Sequence, residues 1–330
     1  MENHELAIIG GGPTGLFATF CAGIRSIESI TLEALDVLGG QIIGFYLMKD
    51  VLDMAGVPRI KGAELQKQLV DQANMFGTTI VTGVRVTDIR KEQDGFVIEI
   101  NGRDSYTTKA VLICTGIGSL APTPIGVPGE MEYLDKGVFY TVTDTGPFTD
   151  RVVAIIGGGD SGFDWANQIV GVAKRIHIVE ALPKVKAMER SVNDLMETGK
   201  GEIHVSTLVN EVIGDGAHVT GITAMDRISG VRSHMDVDAV IVAIGLKTKG
   251  NTFKTMRLQT VLNRIRVNHE YETSVPGVYA AGDTCLFGDS PKPALLATCA
   301  AEAYGAINSI KKYLTPTASV LDSHSTDVKL

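Results

Sequence analysis

Two glycine-rich turns, each set between an apolar strand and a helix and each followed at the same distance by a carboxylate, predict an α/β chain of two Rossmann-like dinucleotide-binding domains. Three observations carry the prediction: the repeated turn, the matched spacing to the acid, and two later apolar strands that both end in glycine. A length of 330 residues suits two domains of ordinary size, and 44% hydrophobic residues supply a core for each. Glycine is abundant at 37 residues against 11 prolines, a bias that fits many tight strand-to-helix turns rather than disorder.

In chain order, the first copy opens with the strand Leu6-Ala7-Ile8-Ile9. The turn Gly10-Gly11-Gly12-Pro13-Thr14-Gly15 follows, then an apolar helical stretch from Leu16 to Cys21. The second copy reads Val152-Val153-Ala154-Ile155-Ile156, then Gly157-Gly158-Gly159-Asp160-Ser161-Gly162, then a helix from Phe163 to Ala173. In each turn the first glycine permits the sharp bend, the second lets backbone approach a pyrophosphate, and the third lets helix pack on strand. The phosphates then meet free N–H groups and the positive end of the helix dipole.

A second strand in each copy ends in an acid: Ile30-Thr31-Leu32 at Glu33, and Ile176-His177-Ile178-Val179 at Glu180. Gly15 to Glu33 and Gly162 to Glu180 both span 18 residues, the reach expected of a carboxylate that accepts hydrogen bonds from a ribose. A single glycine turn is a weak signal. Two in matching context imply two bound dinucleotides.

The remaining elements fit the same plan. Ile80 to Ile89 and Phe96 to Ile100 alternate as antiparallel strands do. Ala110 to Gly116 and Ala239 to Gly245 are buried strands ending in glycine, and Gly277 to Ala281 is a third such strand leading into Gly282-Asp283. A helix is expected from Ala294 to Ile310, followed by a polar tail.

Several function classes are disfavoured. The net charge of −8 with no basic run argues against nucleic acid as a partner. Cys21, Cys114, Cys285 and Cys299 form no C-x-x-C pair and no metal-ligand spacing, so they read as reduced thiols in a cytoplasmic protein, and no metal is expected. Leu6 to Ile24 carries no charge, but its five glycines and Pro13 fit a strand, a turn and a buried helix better than a membrane span. The chain is expected to be soluble, with no membrane partner.

An N-terminal G-x-G-x-x-G, a strand ending in Thr115-Gly116 and a late Ala280-Ala281-Gly282-Asp283 together resemble the two-dinucleotide-binding flavoproteins. Leu38-Gly39-Gly40-Gln41 narrows the resemblance to the thioredoxin reductase-like branch. It implies three-layer ββα domains, with FAD in the first copy and the nicotinamide nucleotide in the inserted second copy. The FAD-binding domain would then be discontinuous, residues 1–116 and 248–330 with a C-terminal tail over the flavin, and the NAD(P)-binding domain would be 117–247. An insertion with two crossings permits hinge rotation.

True thioredoxin reductases of this size carry C-x-x-C just before the second fingerprint. Here Thr141 and Asp144 stand at about those places, and neither side chain exchanges with a disulfide, because exchange needs an attacking thiolate. The chain instead resembles the type 2 ferredoxin–NADP reductases, through Tyr46 beyond Gln41, Asp53-Met54-Ala55-Gly56, and His324-Ser325-Thr326 in the tail. The resemblance implies FAD contacts from Gly10, Gly12, Thr14, Gly15, Glu33, Gly40, Gln41, Tyr46, Val86, Gly116, Leu120, Asp283 and Thr326. His324 would stack on the isoalloxazine of the partner subunit in a homodimer. The second copy would hold NADH or NADPH through Gly157, Gly159, Asp160, Ser161, Gly162, Glu180 and Gly245.

Two positions depart from the family pattern. Asp50 stands where a second aromatic would cover the other flavin face, which predicts a more open flavin. At the end of the second copy's strand, Glu180-Ala181-Leu182 replaces the His-Arg-Arg run of NADP-dependent members, with Lys184 and Lys186 beyond. A carboxylate there repels a 2′-phosphate, which favours NADH.

The implied reaction takes hydride from the nicotinamide into FAD and passes electrons to ferredoxin or a similar one-electron carrier. An NADH oxidase or diaphorase using oxygen or a small acceptor is one alternative, and a flavin-binding redox sensor without significant turnover is another. No general acid or base is required. His177, His204, His218, His234 and His269 show no partner pattern and read as structural or exposed.

Overall fold

A computed structural model describes residues 1–249 and 253–319 of the chain. The chain forms two compact units, Met1–Ser119 with Thr248–Leu330, and Leu120–Lys247.

The first unit begins with β1 (Glu2–Ile9), α1 (Pro13–Ile24), β2 (Ser29–Leu32) and the short helix α2 (Gln41–Phe45). A small hairpin of β3 (Asp50–Val51) and β4 (Ile60–Lys61) leads into α3 (Gly62–Ala73). Then come β5 (Thr79–Val81), β6 (Val86–Glu92), β7 (Gly95–Ile100) and β8 (Arg103–Ile113). The sheet order is β5-β2-β1-β8-β7-β6, with β21 (Val278–Ala280) from the C-terminal segment also pairing with β8. The strands β1, β2, β5 and β21 run parallel, whereas β6 and β7 return antiparallel on the far side.

Leu6, Ala7 and Ile8 are fully buried, as expected of a central parallel strand covered on both faces. Complete burial of such a Leu or Ile contributes about 1.5–3 kcal/mol. One face packs on α1 and on α6 (Leu296–Leu314), through Leu6, Ile8, Leu112, Ala303 and Ile307. The opposite face packs beneath β6, β7 and the small sheet of β19 (Thr260–Val261), β20 (Arg264–Val267) and β22 (Cys285–Phe287), through Ile9, Ile30, Ile98, Val111 and Ile265. Pro13 begins α1, where a missing N–H costs no helical bond and the fixed φ favours the first turn.

The second unit repeats the plan. Its parallel sheet has the order β10-β17-β11-β12-β13, made of β10 (Val138–Phe139), β17 (Ala239–Val242), β11 (Val152–Ile156), β12 (Arg175–Val179) and β13 (Gly201–His204). Helices α4 (Asp160–Ile169) and α5 (Glu189–Glu197) supply Phe163, Ile169 and Leu195 to a core on one face. The antiparallel layer of β14 (Thr207–Gly214), β15 (Val219–Asp226) and β16 (Arg232–Asp236) covers the other, through Val209, Val212 and Ile222. The connecting strands β9 (Ser119–Pro122) and β18 (Leu246–Lys249) pair with one another.

Three sequence expectations need correction. Ile80 to Ile89 is not one antiparallel strand: Gly83, at φ +70°, breaks it, and β5 joins the parallel sheet beside β2. The strand before Thr115-Gly116 starts at Arg103, because its polar first half pairs with β7 as an antiparallel ladder that an apolar-run criterion does not see. The last helix extends past Ile310 to Leu314.

Candidate functional site

The two glycine turns share one bonding pattern. In the first, Gly10 adopts φ +109°, and a Cβ there would lie 2.6 Å from the Cys114 carbonyl oxygen, so β1 and β8 leave room only for glycine. A Cβ on Gly15 would meet the Gly10 carbonyl oxygen at 1.8 Å. At Gly12 the nearest heavy atom to such a Cβ is Gly40 Cα, at 3.8 Å, so this side of the turn is open. Leu16 N–H donates the first helical bond, to Gly12 O at 2.9 Å, which leaves the amides of Thr14 and Gly15 at the uncompensated helix start.

The second turn matches it. Gly157 takes φ +119° with Ala243 O 2.5 Å from its notional Cβ, and Gly162 would collide with Gly157 O at 2.1 Å. Nothing lies within 4 Å of a Cβ on Gly159. The first helical bond runs from Phe163 N–H to Gly159 O at 3.2 Å, leaving Asp160 and Ser161 at the open start of α4. A Cβ-free, open second glycine beside helix-start amides is the space a pyrophosphate occupies, so both turns fit a dinucleotide.

The acids are placed alike. Gly11 N–H donates to Glu33 Oε2 at 2.6 Å, and Leu35 N–H donates to Oε1 at 2.8 Å. Gly158 N–H donates to Glu180 Oε2 at 2.7 Å, and Leu182 N–H donates to Oε1 at 2.8 Å. Each carboxylate therefore clamps its own glycine turn while keeping lone pairs for a sugar hydroxyl. Backbone bonds fix the acids in turn: Glu33 N–H donates to Val81 O and Glu180 N–H to His204 O.

Around the first turn several predicted residues converge. Gly40, at φ +52°, brings its backbone against Gly12, where a Cβ would come within 2.9 Å of Gly12 Cα. Gln41 Nε2 donates to Asp283 Oδ2 at 3.2 Å, and a Cβ on Gly116 (φ +61°) would sit 3.4 Å from that same nitrogen. Gly282 (φ +79°) packs on Thr14, whose Oγ1 would lie 2.4 Å from a Cβ. Burial, then the neighbouring Asp283, Asp53 and Cys299, raises the Tyr46 hydroxyl above the usual tyrosine range, so it stays a neutral donor. Val86 starts β6 and, partly buried, packs against the core below the sheet. The Leu120 side chain, His324 and Thr326 lie outside the described residues. In the second unit, Gly245 (φ +97°) has open space at its Cβ position.

Sequence reasoning missed the group that holds the Gly282-Asp283 turn. Glu302, buried on α6, accepts from Gly282 N–H at 2.7 Å. Lys292 Nζ bonds both Glu302 oxygens at 2.5 Å and Gly282 O at 2.9 Å. An acid within an apolar helical stretch was the available signal; its lysine lies ten residues earlier in a loop and has no periodic relation to it. Asp53, the first residue of the segment Asp53-Met54-Ala55-Gly56, accepts from Leu296 N–H at 2.8 Å and so caps α6.

Asp50 is ion-paired: Arg59 lies at 2.5 Å and Lys61 at 2.9 Å, and hydrogen bonds from these two cations pull its carboxyl down to about 2. His177 and His204 are not scattered. Strand register brings His177 Nδ1 and His204 Nε2 to 3.0 Å, with Glu202 beside both, a pairing that linear spacing does not reveal. Burial and the adjacent His204 lower the His177 pKa below its ordinary value.

All four cysteines are free and buried. Burial pushes the Cys21 and Cys285 thiols up to about 12 and raises Cys114 and Cys299 as well. Thr141 and Asp144 occupy the segment before the second turn; Asp144 Oδ1 accepts from Gly146 N–H at 3.2 Å. No helix among the described residues is long and apolar enough to cross a membrane.

Comparison with known proteins agrees with this geometry. Residues 4–303 match the family model described as pyridine nucleotide-disulphide oxidoreductase. A ferredoxin–NADP reductase of Picrophilus torridus is 42% identical over the whole of both chains. Proteins of the same name from Sulfurisphaera tokodaii and Halalkalibacterium halodurans are 38% and 35% identical, each over 99% of this chain and 98% of their own. Among solved structures, the thioredoxin reductase of T. acidophilum matches with a TM-score of 0.77 and 31% identity, over 94% of this chain and 99% of that one. The Lactococcus lactis thioredoxin reductase has the same TM-score at 21% identity, over 95% of this chain and 99% of its own, a likeness of fold.

Proposed function

The chain belongs to the pyridine nucleotide-disulphide oxidoreductase family, and from that premise we propose that it is an FAD-dependent oxidoreductase carrying electrons from a nicotinamide nucleotide to ferredoxin or a similar one-electron carrier. The carrying observation is the duplicated clamp, Gly11 on Glu33 and Gly158 on Glu180, each beside an open second glycine. Bound FAD supplies the exchange between a two-electron hydride donor and a one-electron acceptor.

The residues of this chain bind and orient. In the reading proposed here, the amides of Thr14 and Gly15 hold the FAD pyrophosphate and Glu33 the adenosine ribose. Gln41, Tyr46, Gly116 and Asp283 meet the flavin half, with Gly10, Gly12, Gly40, Val86, Leu120 and Thr326 completing the site. Gly157, Gly159, Asp160, Ser161, Gly162, Glu180 and Gly245 take the nicotinamide nucleotide. The FAD-binding domain is residues 1–116 and 248–330, and the inserted 117–247 is the NAD(P)-binding domain. His324 stacks on the flavin of the partner subunit in a homodimer, and reduced thiols suit a cytoplasmic setting. Disulfide reduction by the chain's own cysteines is disfavoured, because four buried thiols of raised pKa offer no thiolate.

NADH is the preferred donor, although the relatives named above are ferredoxin–NADP reductases. Glu180 already accepts two amides, so its charge is fixed at the ribose end, where it would repel a 2′-phosphate. Lys184 and Lys186 line a pocket of about 460 Å³ beyond it and temper the preference without reversing it.

The test is cytochrome c reduction with NADH and with NADPH, each with and without added ferredoxin. The proposal expects ferredoxin-dependent turnover, faster with NADH. Turnover indifferent to ferredoxin but consuming oxygen would replace the acceptor with oxygen.

A further inference from the structure

Strands β12 and β13 are parallel neighbours, in the register His177 to Glu202, Ile178 to Ile203 and Val179 to His204. Side chains alternate along a strand, so His177, Glu202 and His204 share one face while Ile176, Ile178 and Ile203 enter the helix-side core on the other. Two imidazoles and a carboxylate are thus brought together at a sheet edge. His177 Nδ1 and His204 Nε2 are 3.0 Å apart, Glu202 Oε2 is 3.6 Å from His177 Nδ1, and Glu202 Oε1 is 3.6 Å from His204 Nε2.

We propose that His177, Glu202 and His204 form a binding site for one divalent transition-metal ion of the zinc class. Zinc binds imidazole nitrogen and carboxylate oxygen at about 2.0–2.2 Å, and at a tetrahedral angle those lengths separate adjacent donors by about 3.3–3.6 Å. One donor atom from each of the three residues lies within 4.8 Å of the other two, with the imidazole nitrogens 3.0 Å apart and each histidine 3.6 Å from its nearer Glu202 oxygen, a span that side-chain rotation can close onto one ion. An imidazole-rich set selects zinc, nickel or copper over magnesium and calcium, which prefer all-oxygen shells. The histidine side chains are 14% and 20% exposed and Glu202 is 48% exposed, so an ion can enter and keep a solvent-facing fourth position. Arg175 lies 3.5 Å from Glu202 Oε2 and competes for that oxygen, leaving Oε1 as the better ligand. The ion would fasten edge strand β13 to β12, at the place where the His204 carbonyl holds the Glu180 amide. This site does not depend on the flavin or on which nucleotide is used.

The experiment is calorimetric titration of the tag-free, chelator-treated full chain with zinc chloride, and separately with magnesium chloride, in parallel with thermal melting. The expected result is one zinc per chain, a higher melting temperature with zinc, and no response to magnesium. His177→Ala and His204→Ala should each weaken zinc binding by at least about 100-fold, beyond what loss of an outer-shell partner costs. Should either histidine variant fail to fold, Glu202→Gln at the exposed ligand should still weaken binding by about 10-fold or more. All variants keep the four thiols, so zinc held elsewhere would survive the substitutions. No stoichiometric binding to the wild-type chain, or binding unchanged in the variants, overturns the proposal and leaves the pair as two hydrogen-bonded imidazoles.

Discussion

Glu180 is the residue on which donor choice turns. Its carboxylate is oriented by Gly158 and Leu182 amides rather than by a mobile partner, so removing the charge should act on the 2′ position of the nucleotide directly. Glu180→Ser is expected to move the NADPH-to-NADH ratio of kcat/KM towards NADPH by about 10-fold, the equivalent of about 1.4 kcal/mol. Steady-state kinetics with both nucleotides checks this; an unchanged ratio would mean that Lys184 and Lys186, not the acid, set the preference. The cysteines carry a pH signature. Cys21 and Cys285 ionise near 9.0 when exposed but near 12 in the folded chain, so folding keeps their protons on. Their contribution is fully present below about pH 9 and lost as pH rises towards about 12. Denaturant midpoints should therefore stay level in this respect below that lower bound and fall above it, with Cys21→Ala softening the fall. In the same buffer at about pH 7–8, a thiol-alkylating reagent should label the native chain far more slowly than the unfolded chain.

At the scale of elements, the informative device is the tie between α6 and the Gly282-Asp283 turn. Lys292 and Glu302 are almost wholly withdrawn from water, and between them they bond Gly282 through both its N–H and its carbonyl. Lys292→Met should destabilise the first unit by about 3–5 kcal/mol, because an acid is left buried without its cation. The double change Lys292→Met with Glu302→Leu should recover part of that loss, and chemical denaturation of the wild type, both single variants and the double variant measures it. The same element shows where sequence reading stops. The helix itself is legible as an apolar period, but the ion pair inside it joins a helix to a loop and carries no pattern. The strand from Ile80 to Ile89 fails for a related reason: alternation persists across Gly83, although the chain there leaves one neighbour for another. His177, Glu202 and His204 become a cluster only through the register of β12 on β13, which no window along the chain contains.

For the molecule as a whole, the legible part is what was duplicated. Glycine turn, helix and acid could be read twice because the first and third glycines of each turn answer to a steric demand that a side chain violates, and the structure meets that demand at Gly10, Gly15, Gly157 and Gly162 alike. The open glycine of the second turn offers a clean separation of fold from function. Gly159, at φ −90° with nothing within 4 Å of a Cβ, tolerates a side chain, whereas Gly162 does not. Gly159→Val should fold and keep its flavin yet lose about 100-fold in the rate of reduction by NADH, since the branched side chain fills the space meant for phosphate. Stopped-flow reduction resolves that rate. Gly162→Val should fail to fold its unit.

The most direct measurement is the visible absorption spectrum of the purified chain, followed anaerobically as NADH is added. The duplicated cradle predicts a yellow protein with oxidised-flavin bands that bleach on addition of about one equivalent of NADH. A colourless protein that takes up no added FAD would contradict the account.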